Sequence, residues 1–166
     1  KMTSLLSKRI AAYLQYLGVS KNTKIAIMLP NLLTYPIALF GSYYCGATVI
    51  NINPMYKSRE IQDILVDSEA EYIFVLDKFY DELKPCIPDS NLKKIIVCKL
   101  TDLLSPIMRI VIPIVMFYKK QTVNIRKENN LVFFKDIVSN NFSLEDVLID
   151  ENDIALLQYT GGTTGK

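Results

Sequence analysis

Short apolar segments alternate with helical patterns along this chain, and the alternation limits the folds available to it. The apolar segments are rich in β-branched residues and read KIAIMLP, TVININP, EYIFVLD and LKKIIVCKL. Segments with helical spacing separate them. Because parallel strands are joined by long crossovers, this order predicts β-α-β units. We therefore expect an α/β fold, a doubly wound and mainly parallel sheet with flanking helices.

Four segments are predicted to be helical. The first, KMTSLLSKRIAAYLQYLG, is amphipathic and ends at Gly18. The second, LLTYPIALFGSYYCGA, is apolar on nearly every side and has Pro36 in its first turns, where proline is tolerated. SREIQDILVDSEA predicts a surface helix with Ser58 as its N-cap, and DKFYDELKP a short helix that ends before Pro85.

The remaining segments predict connections and one further strand. Residues 121–150 are polar and mixed, with an apolar patch, LVFFKDIV, and we interpret them as a connection that crosses the surface. The segment IALLQY then predicts a buried strand. We expect Pro30 and Asn31 to turn the chain out of the first strand, and the NPMY segment that begins at Asn53 to form another turn.

The composition excludes several classes of function. Half of the 166 residues are apolar and 22% are charged, which suits a folded chain rather than a disordered one. The net charge of +2 is too small to indicate nucleic-acid binding. The segment has no histidine, so a Ser-His-Asp or Cys-His mechanism has no base within it. Cys45, Cys86 and Cys98 lack CxxC spacing, and we expect buried, reduced thiols.

Residues 103–120 form an apolar insert, LLSPIMRIVIPIVMFY followed by two lysines. A helix over the apolar part would be about 24 Å long, short of the roughly 30 Å hydrocarbon core of a bilayer. Arg109, Pro106 and Pro113 also disfavour a transmembrane span. Two interpretations stay open: an interfacial segment at the bilayer surface with its lysines near lipid headgroups, or a lid or subunit contact packed on protein.

The chain ends in IALLQYTGGTTGK, a strand followed by a loop of glycines and threonines. Glycines let backbone N–H groups approach an anion, successive N–H groups form an anion-binding nest, and the threonines add hydroxyl donors. The loop differs from Walker A, because Thr160 stands where that motif requires its first glycine. A phosphate-binding loop is thus predicted, with a plain flexible turn as the alternative.

YTGGTTG resembles the signature of adenylate-forming enzymes, which include acyl-CoA synthetases and other acid-activating ligases. MLPNLLTYPIALFGSYYCGATVININPMY and SREIQDILVDSEAEYIFV resemble bacterial long-chain fatty-acid CoA ligases in particular. The resemblance implies that residues 1–166 are an incomplete N-terminal AMP-binding domain that contains the 103–120 insert, with the C-terminal domain absent. It assigns ATP and phosphate binding to Tyr159, Thr160, Gly161, Gly162, Thr163, Thr164, Gly165 and Lys166.

The resemblance also implies a reaction. A fatty carboxylate attacks ATP to give an acyl-adenylate, and the thiol of CoA then forms the thioester, with Mg²⁺ as the cofactor. Lys166 falls on a variable position of the family's loop, so we assign it no catalytic role. Because the family's catalytic residues are expected beyond residue 166, the fragment alone is expected to be inactive.

Two alternatives to this function stay open. One is another acid-activating adenylate-forming ligase, and another is a non-catalytic remnant or nucleotide-binding module. The expected location is the cytoplasm. Peripheral contact with the inner face of the membrane through residues 103–120 is a second possibility to test. The expected partners are fatty acid, ATP and CoA, with a homodimer as an assembly to test.

Overall fold

The computed structural model describes residues 2–104, 108, 125, 128–139 and 141–159. Its centre is a six-stranded sheet in the order β5-β4-β3-β1-β2-β6, with every neighbouring pair parallel. The strands are β1 Lys24–Met28, β2 Thr48–Asn51, β3 Tyr72–Leu76, β4 Lys94–Cys98, β5 Leu131–Phe133 and β6 Leu156–Gln158. The four predicted internal strands are β1 to β4, which confirms the α/β prediction.

Helices cover both faces of the sheet. They are α1 Met2–Tyr16, α2 Thr34–Tyr44, α3 Ser58–Ser68, α4 Tyr80–Leu83 and α5 Phe134–Val138. Side chains of α1, α2 and α5 pack into the hydrophobic cluster on one face, and side chains of α3 and α4 pack into the cluster on the other. The doubly wound arrangement is therefore confirmed.

The central strands are buried on both faces, which explains their continuous apolar sequences. In β3, Phe74 points into the cluster shared with α1 and α2, whereas Ile73 and Val75 point into the cluster shared with α3. All three side chains have no exposed surface. Successive side chains of the strand therefore point alternately into two hydrophobic clusters, and neither face of the strand is exposed to solvent.

Helices α1 and α2 approach closely at a glycine. A Cβ atom placed on Gly41 would lie 2.6 Å from Cγ2 of Ile10 and 3.1 Å from the carbonyl oxygen of Ser7. Ile10 is fully buried. The absence of a side chain at Gly41 therefore sets the distance between the two helices.

One of two local predictions at helix ends is wrong. The N-cap of α3 is Lys57, whose backbone N–H donates to Glu60 at 3.0 Å. Ser58 is the first helical residue, and its hydroxyl donates instead to Glu82 at 3.1 Å. The short helix after β3, α4, ends at Leu83, before Pro85 as predicted, and a separate 3₁₀ turn, Lys84–Cys86, follows it. Proline at the start of such a turn loses no required backbone donor.

The interpretation of residues 121–150 as a surface connection is wrong for the part that forms β5 and α5. β5 pairs with β4, and Phe134 at the start of α5 is fully buried. A three-residue strand is too short to give a clear periodic signal. The prediction that the IALLQY strand is buried is also wrong: Leu156 is 41% exposed, because among the described strands only β2 pairs with β6.

Two further predictions concern the thiols and the membrane. Cys45, Cys86 and Cys98 are buried free cysteines, as expected, and burial raises the pKa of the Cys45 thiol to about 12. Among the helices of the described residues, none is both long enough and apolar enough to cross a bilayer. Most of the 103–120 insert lies outside the described residues.

Candidate functional site

A polar cleft lies at the carboxyl ends of β1, β2 and β6. Its volume is about 290 Å³. In a doubly wound parallel sheet this edge is where ligands bind. The polar side chains that line it come from the ends of β2 and β6, from the loops after β1 and β2 and from α2, namely Asn31, Tyr35, Asn51, Asn53, Tyr56, Gln158 and Tyr159.

One side of the cleft is organised by a chain of neutral hydrogen bonds. The hydroxyl of Tyr35 donates to Oδ1 of Asn51 at 3.0 Å, and Nδ2 of Asn51 donates to Oε1 of Gln158 at 3.1 Å. Asn51 and Gln158 are also direct partners in the β2-β6 register. The chain therefore links α2, β2 and β6 at one level of the sheet.

Tyr159 emerges from the end of β6 on the opposite face. Its ring packs against the cluster that contains α3, and its hydroxyl donates to the carboxylate of Asp67 in the last turn of α3. Burial, followed by the hydrogen bond to Asp67, raises the pKa of Tyr159 to about 12. The phenol is therefore a neutral donor at physiological pH.

Turns shape the rim of the cleft, as the sequence predicts. Oδ1 of Asn53 accepts the backbone N–H of Met55 at 3.0 Å, and the carbonyl oxygen of Asn53 accepts the backbone N–H of Tyr56 at 3.0 Å. After β1, the carbonyl oxygen of Pro30 accepts the backbone N–H of Leu32 at 2.7 Å. Both predicted turns are confirmed, and they direct polar side chains toward the strand ends.

Of the predicted phosphate-binding residues, the structure describes Tyr159 and places it at the cleft. Residues 160–166 lie outside the described residues, so their phosphate-binding role stays a prediction. The sequence reasoning missed Tyr35, Asn51 and Asp67. Polar residues at the last position of a strand, as at Asn51, are the signal that would have found one of them.

Two buried carboxylates occupy a second position, beyond the carboxyl ends of β3 and β4. Asp102 accepts the backbone N–H of Lys99 at 2.7 Å, and burial raises the pKa of Asp102 to about 6. Burial also raises the pKa of Asp77. Within the part of the chain that the structure describes, no group of three His, Cys, Asp or Glu side chains is arranged to hold a metal ion.

An all-parallel sheet with helices on both faces and a polar cleft at its carboxyl edge defines an α/β ligand-binding domain. The family model described as AMP-binding enzyme matches residues 3–166. The chain belongs to the AMP-binding enzyme family.

Curated relatives with similar sequences are long-chain-fatty-acid–CoA ligases. The one from Haemophilus influenzae is 38% identical over 162 residues, which cover 96% of this chain and 29% of the relative. The one from Bacillus subtilis is 33% identical over 162 residues, which cover 95% of this chain and 28% of the relative. The chain thus spans less than a third of the length of these relatives.

Solved structures show the same fold. A long-chain-fatty-acid-CoA ligase from Archaeoglobus fulgidus superimposes with a TM-score of 0.72 at 27% identity, covering 99% of this chain and 28% of that one. An anthranilate CoA ligase in complex with anthranoyl-AMP gives a TM-score of 0.77 at 21% identity, covering 98% of this chain and 27% of that one. The second likeness concerns the fold alone.

Proposed function

We propose that this chain is the amino-terminal part of an enzyme that activates a long-chain fatty acid with ATP and transfers the acyl group to CoA. The observation that carries the proposal is the YTGGTTG segment, which follows β6 in the sequence and whose first residue, Tyr159, lines the polar cleft. Membership of the AMP-binding enzyme family supports the nucleotide half. The fatty-acid half rests on sequence similarity to long-chain-fatty-acid–CoA ligases.

The chemistry of this reaction requires two displacements. The fatty carboxylate attacks the α-phosphorus of ATP and pyrophosphate leaves; the thiol of CoA then attacks the acyl carbonyl and AMP leaves. Activation is needed because a carboxylate does not react with a thiol at neutral pH. In this proposal, backbone N–H and hydroxyl groups of residues 160–165 hold the leaving pyrophosphate. Lys166 belongs to the loop without a catalytic role.

The described residues do not provide a site for Mg²⁺. The cleft presents the amides of Asn51 and Gln158 and the phenols of Tyr35 and Tyr159, and Mg²⁺ is usually held by carboxylates together with substrate phosphates. No cluster of candidate ligands occurs in the described part of the chain. We therefore assign no step to the ion through these residues.

The test is palmitate-dependent exchange of pyrophosphate into ATP, measured with the full-length gene product. Exchange with palmitate is expected to exceed exchange with acetate or an amino acid. Thr163→Val, which removes one loop hydroxyl while keeping the side-chain shape, should reduce exchange by roughly tenfold, the worth of one hydrogen bond. Thr3→Val, in the first turn of α1, is the matched control and should leave it unchanged. A preference for acetate or an amino acid would reject the long-chain assignment.

A second outcome is a non-catalytic remnant of such an enzyme. Continuation of the reading frame distinguishes the two, because the family's loop continues with a Pro-Lys-Gly pattern and a downstream Thr-Glu motif. A stop codon directly after the loop would support the remnant. Exchange activity by residues 1–166 alone would contradict the proposal that essential residues lie further along the chain.

Peripheral membrane contact is a further part of this proposal. The apolar sequence of residues 103–118 and the two lysines after it support an interfacial segment. The full-length protein is expected to sediment in part with anionic vesicles, and a variant that lacks residues 103–120 is expected to stay in the supernatant. Equal sedimentation of both proteins would exclude the membrane role. A homodimer stays a prediction.

A further inference from the structure

β6 is weakly held by its backbone alone. It is three residues long, and it pairs with β2 through three residue pairs. Leu156 is 41% exposed, so the strand buries little apolar surface that would fix its position. The predicted nucleotide-binding loop begins at the end of this strand, so the strand end needs additional contacts to hold it in place. A displacement of catalytic or binding groups by about 1 Å can lower the rate on the order of a hundredfold.

The first anchor lies on the face of the sheet that α2 covers. Gln158 is held by Asn51 at 3.1 Å, and Asn51 is held by Tyr35 at 3.0 Å. Since Asn51 and Gln158 are register partners, the side-chain bond fixes the same pair that the backbone ladder joins. This contact secures the last residue of β6.

The second anchor lies on the opposite face and consists of Tyr159 and Asp67. Asp67 stands in the last turn of α3, where a carboxylate faces the negative end of the helix dipole. The helix itself therefore disfavours an acidic residue at this position. The side chain of Asp67 is also exposed, so burial does not require it to have a partner.

We propose that Asp67 is a positioning residue: it holds the hydroxyl of Tyr159 and thereby fixes the direction in which the chain leaves β6 toward the phosphate-binding loop. Together with Asn51, it clamps the end of β6 from both faces of the sheet. The hydroxyl of Tyr159 acts through this contact rather than on the nucleotide. The inference rests on the proposed function, because it assigns a purpose to the start of the loop.

The experiment uses the full-length protein and compares four variants. Asp67→Ala and Tyr159→Phe each remove the contact and should raise the KM for ATP on the order of tenfold, with the KM for fatty acid unchanged. Asp67→Asn keeps an acceptor oxygen and should restore the KM for ATP to within about threefold of the wild type. The double variant should be no worse than Asp67→Ala, because both changes break one contact.

Tyr72→Phe is the matched control. The hydroxyl of Tyr72 donates to the carbonyl oxygen of Leu17 at 3.0 Å, at the amino end of β3 and away from the cleft. Its removal tests the general effect of losing one tyrosine hydrogen bond. A thermal midpoint lowered equally in Tyr72→Phe and Tyr159→Phe, with the KM for ATP unchanged in both, would show a merely structural contact and overturn the proposal.

Direct binding of a fluorescent ATP analogue separates this inference from the proposed reaction. If the wild type binds the analogue but catalyses no exchange, the proposed reaction fails, and weaker binding by Asp67→Ala still supports positioning. If exchange is present and Asp67→Ala equals the wild type in both assays, positioning fails while the proposed function stands. If the wild type neither binds the analogue nor catalyses exchange, both are overturned. Because Asp67 is exposed, we expect Asp67→Ala to fold normally even if Tyr159→Phe is destabilised.

Discussion

Adding one methyl group at Gly41 should destabilise the protein, although alanine is the better helix former. Ordinary van der Waals contact begins at 3.4 Å, whereas the new Cβ would lie 2.6 Å from Cγ2 of Ile10, a deficit of 0.8 Å. The carbonyl oxygen of Ser7 would lie 3.1 Å from the same Cβ, and because it belongs to the backbone it cannot move away without moving α1. Helices α1 and α2 must therefore separate or Ile10 must leave its rotamer.

The magnitude follows from two opposing effects. Overpacking a tight core costs about 1–3 kcal/mol, and replacing glycine by alanine inside a helix contributes roughly 1 kcal/mol in the other direction. A net loss of up to about 2 kcal/mol is expected for Gly41→Ala, which lowers the thermal midpoint by up to roughly 8 °C in a domain of this size. Circular dichroism at increasing temperature measures it.

Repeating Gly41→Ala in an Ile10→Ala background tests whether the close contact with Ile10 causes the loss of stability. Ile10→Ala removes Cγ2 at 2.6 Å but keeps Cβ, which would lie 2.9 Å from the new methyl group, so the additional loss from Gly41→Ala should become smaller without disappearing. A midpoint that rises on Gly41→Ala in the wild type, or the same loss in both backgrounds, would refute the close-contact explanation.

Three other predictions concern burial. Folding raises the pKa of Asp102 from 3.8 to about 6, so the folded protein loses stability as the pH rises through that range and the buried carboxyl ionises. Asp102→Asn should therefore raise the thermal midpoint at pH 8 and give no such gain near pH 4. A gain that does not depend on pH would contradict this explanation. Phe134→Ala should cost about 3–5 kcal/mol in chemical unfolding, whereas Phe40→Ala, at a half-exposed site, should cost far less. Cys45 and Cys98 should resist a thiol reagent until denaturant exposes them, as mass spectrometry of labelled peptides can show.

Local patterns were sufficient for most of the secondary structure. β1, β2, β3 and β4 were predicted because each is a continuous apolar run that serves two cores. β5 was missed because three residues give too little periodicity, and the N-cap of α3 was misplaced by one residue because Lys57 contributes only its backbone to Glu60. The phosphate-binding loop was predicted from glycine and threonine content, a signal that does not depend on tertiary contacts.

By itself, the sequence determined the α/β class, the alternation of strands and helices, and the residues of the predicted phosphate-binding loop. Tertiary structure decided the strand order and the contacts that hold the loop's strand. Gln158 meets Asn51 across 107 positions of sequence, and Tyr159 meets Asp67 across 92. Periodicity reports which face of an element is buried, but not which distant element covers it. Asn51 lies beside β6 because β2 pairs with β6 in the sheet, and Asp67 lies there because α3 packs on the face from which Tyr159 projects.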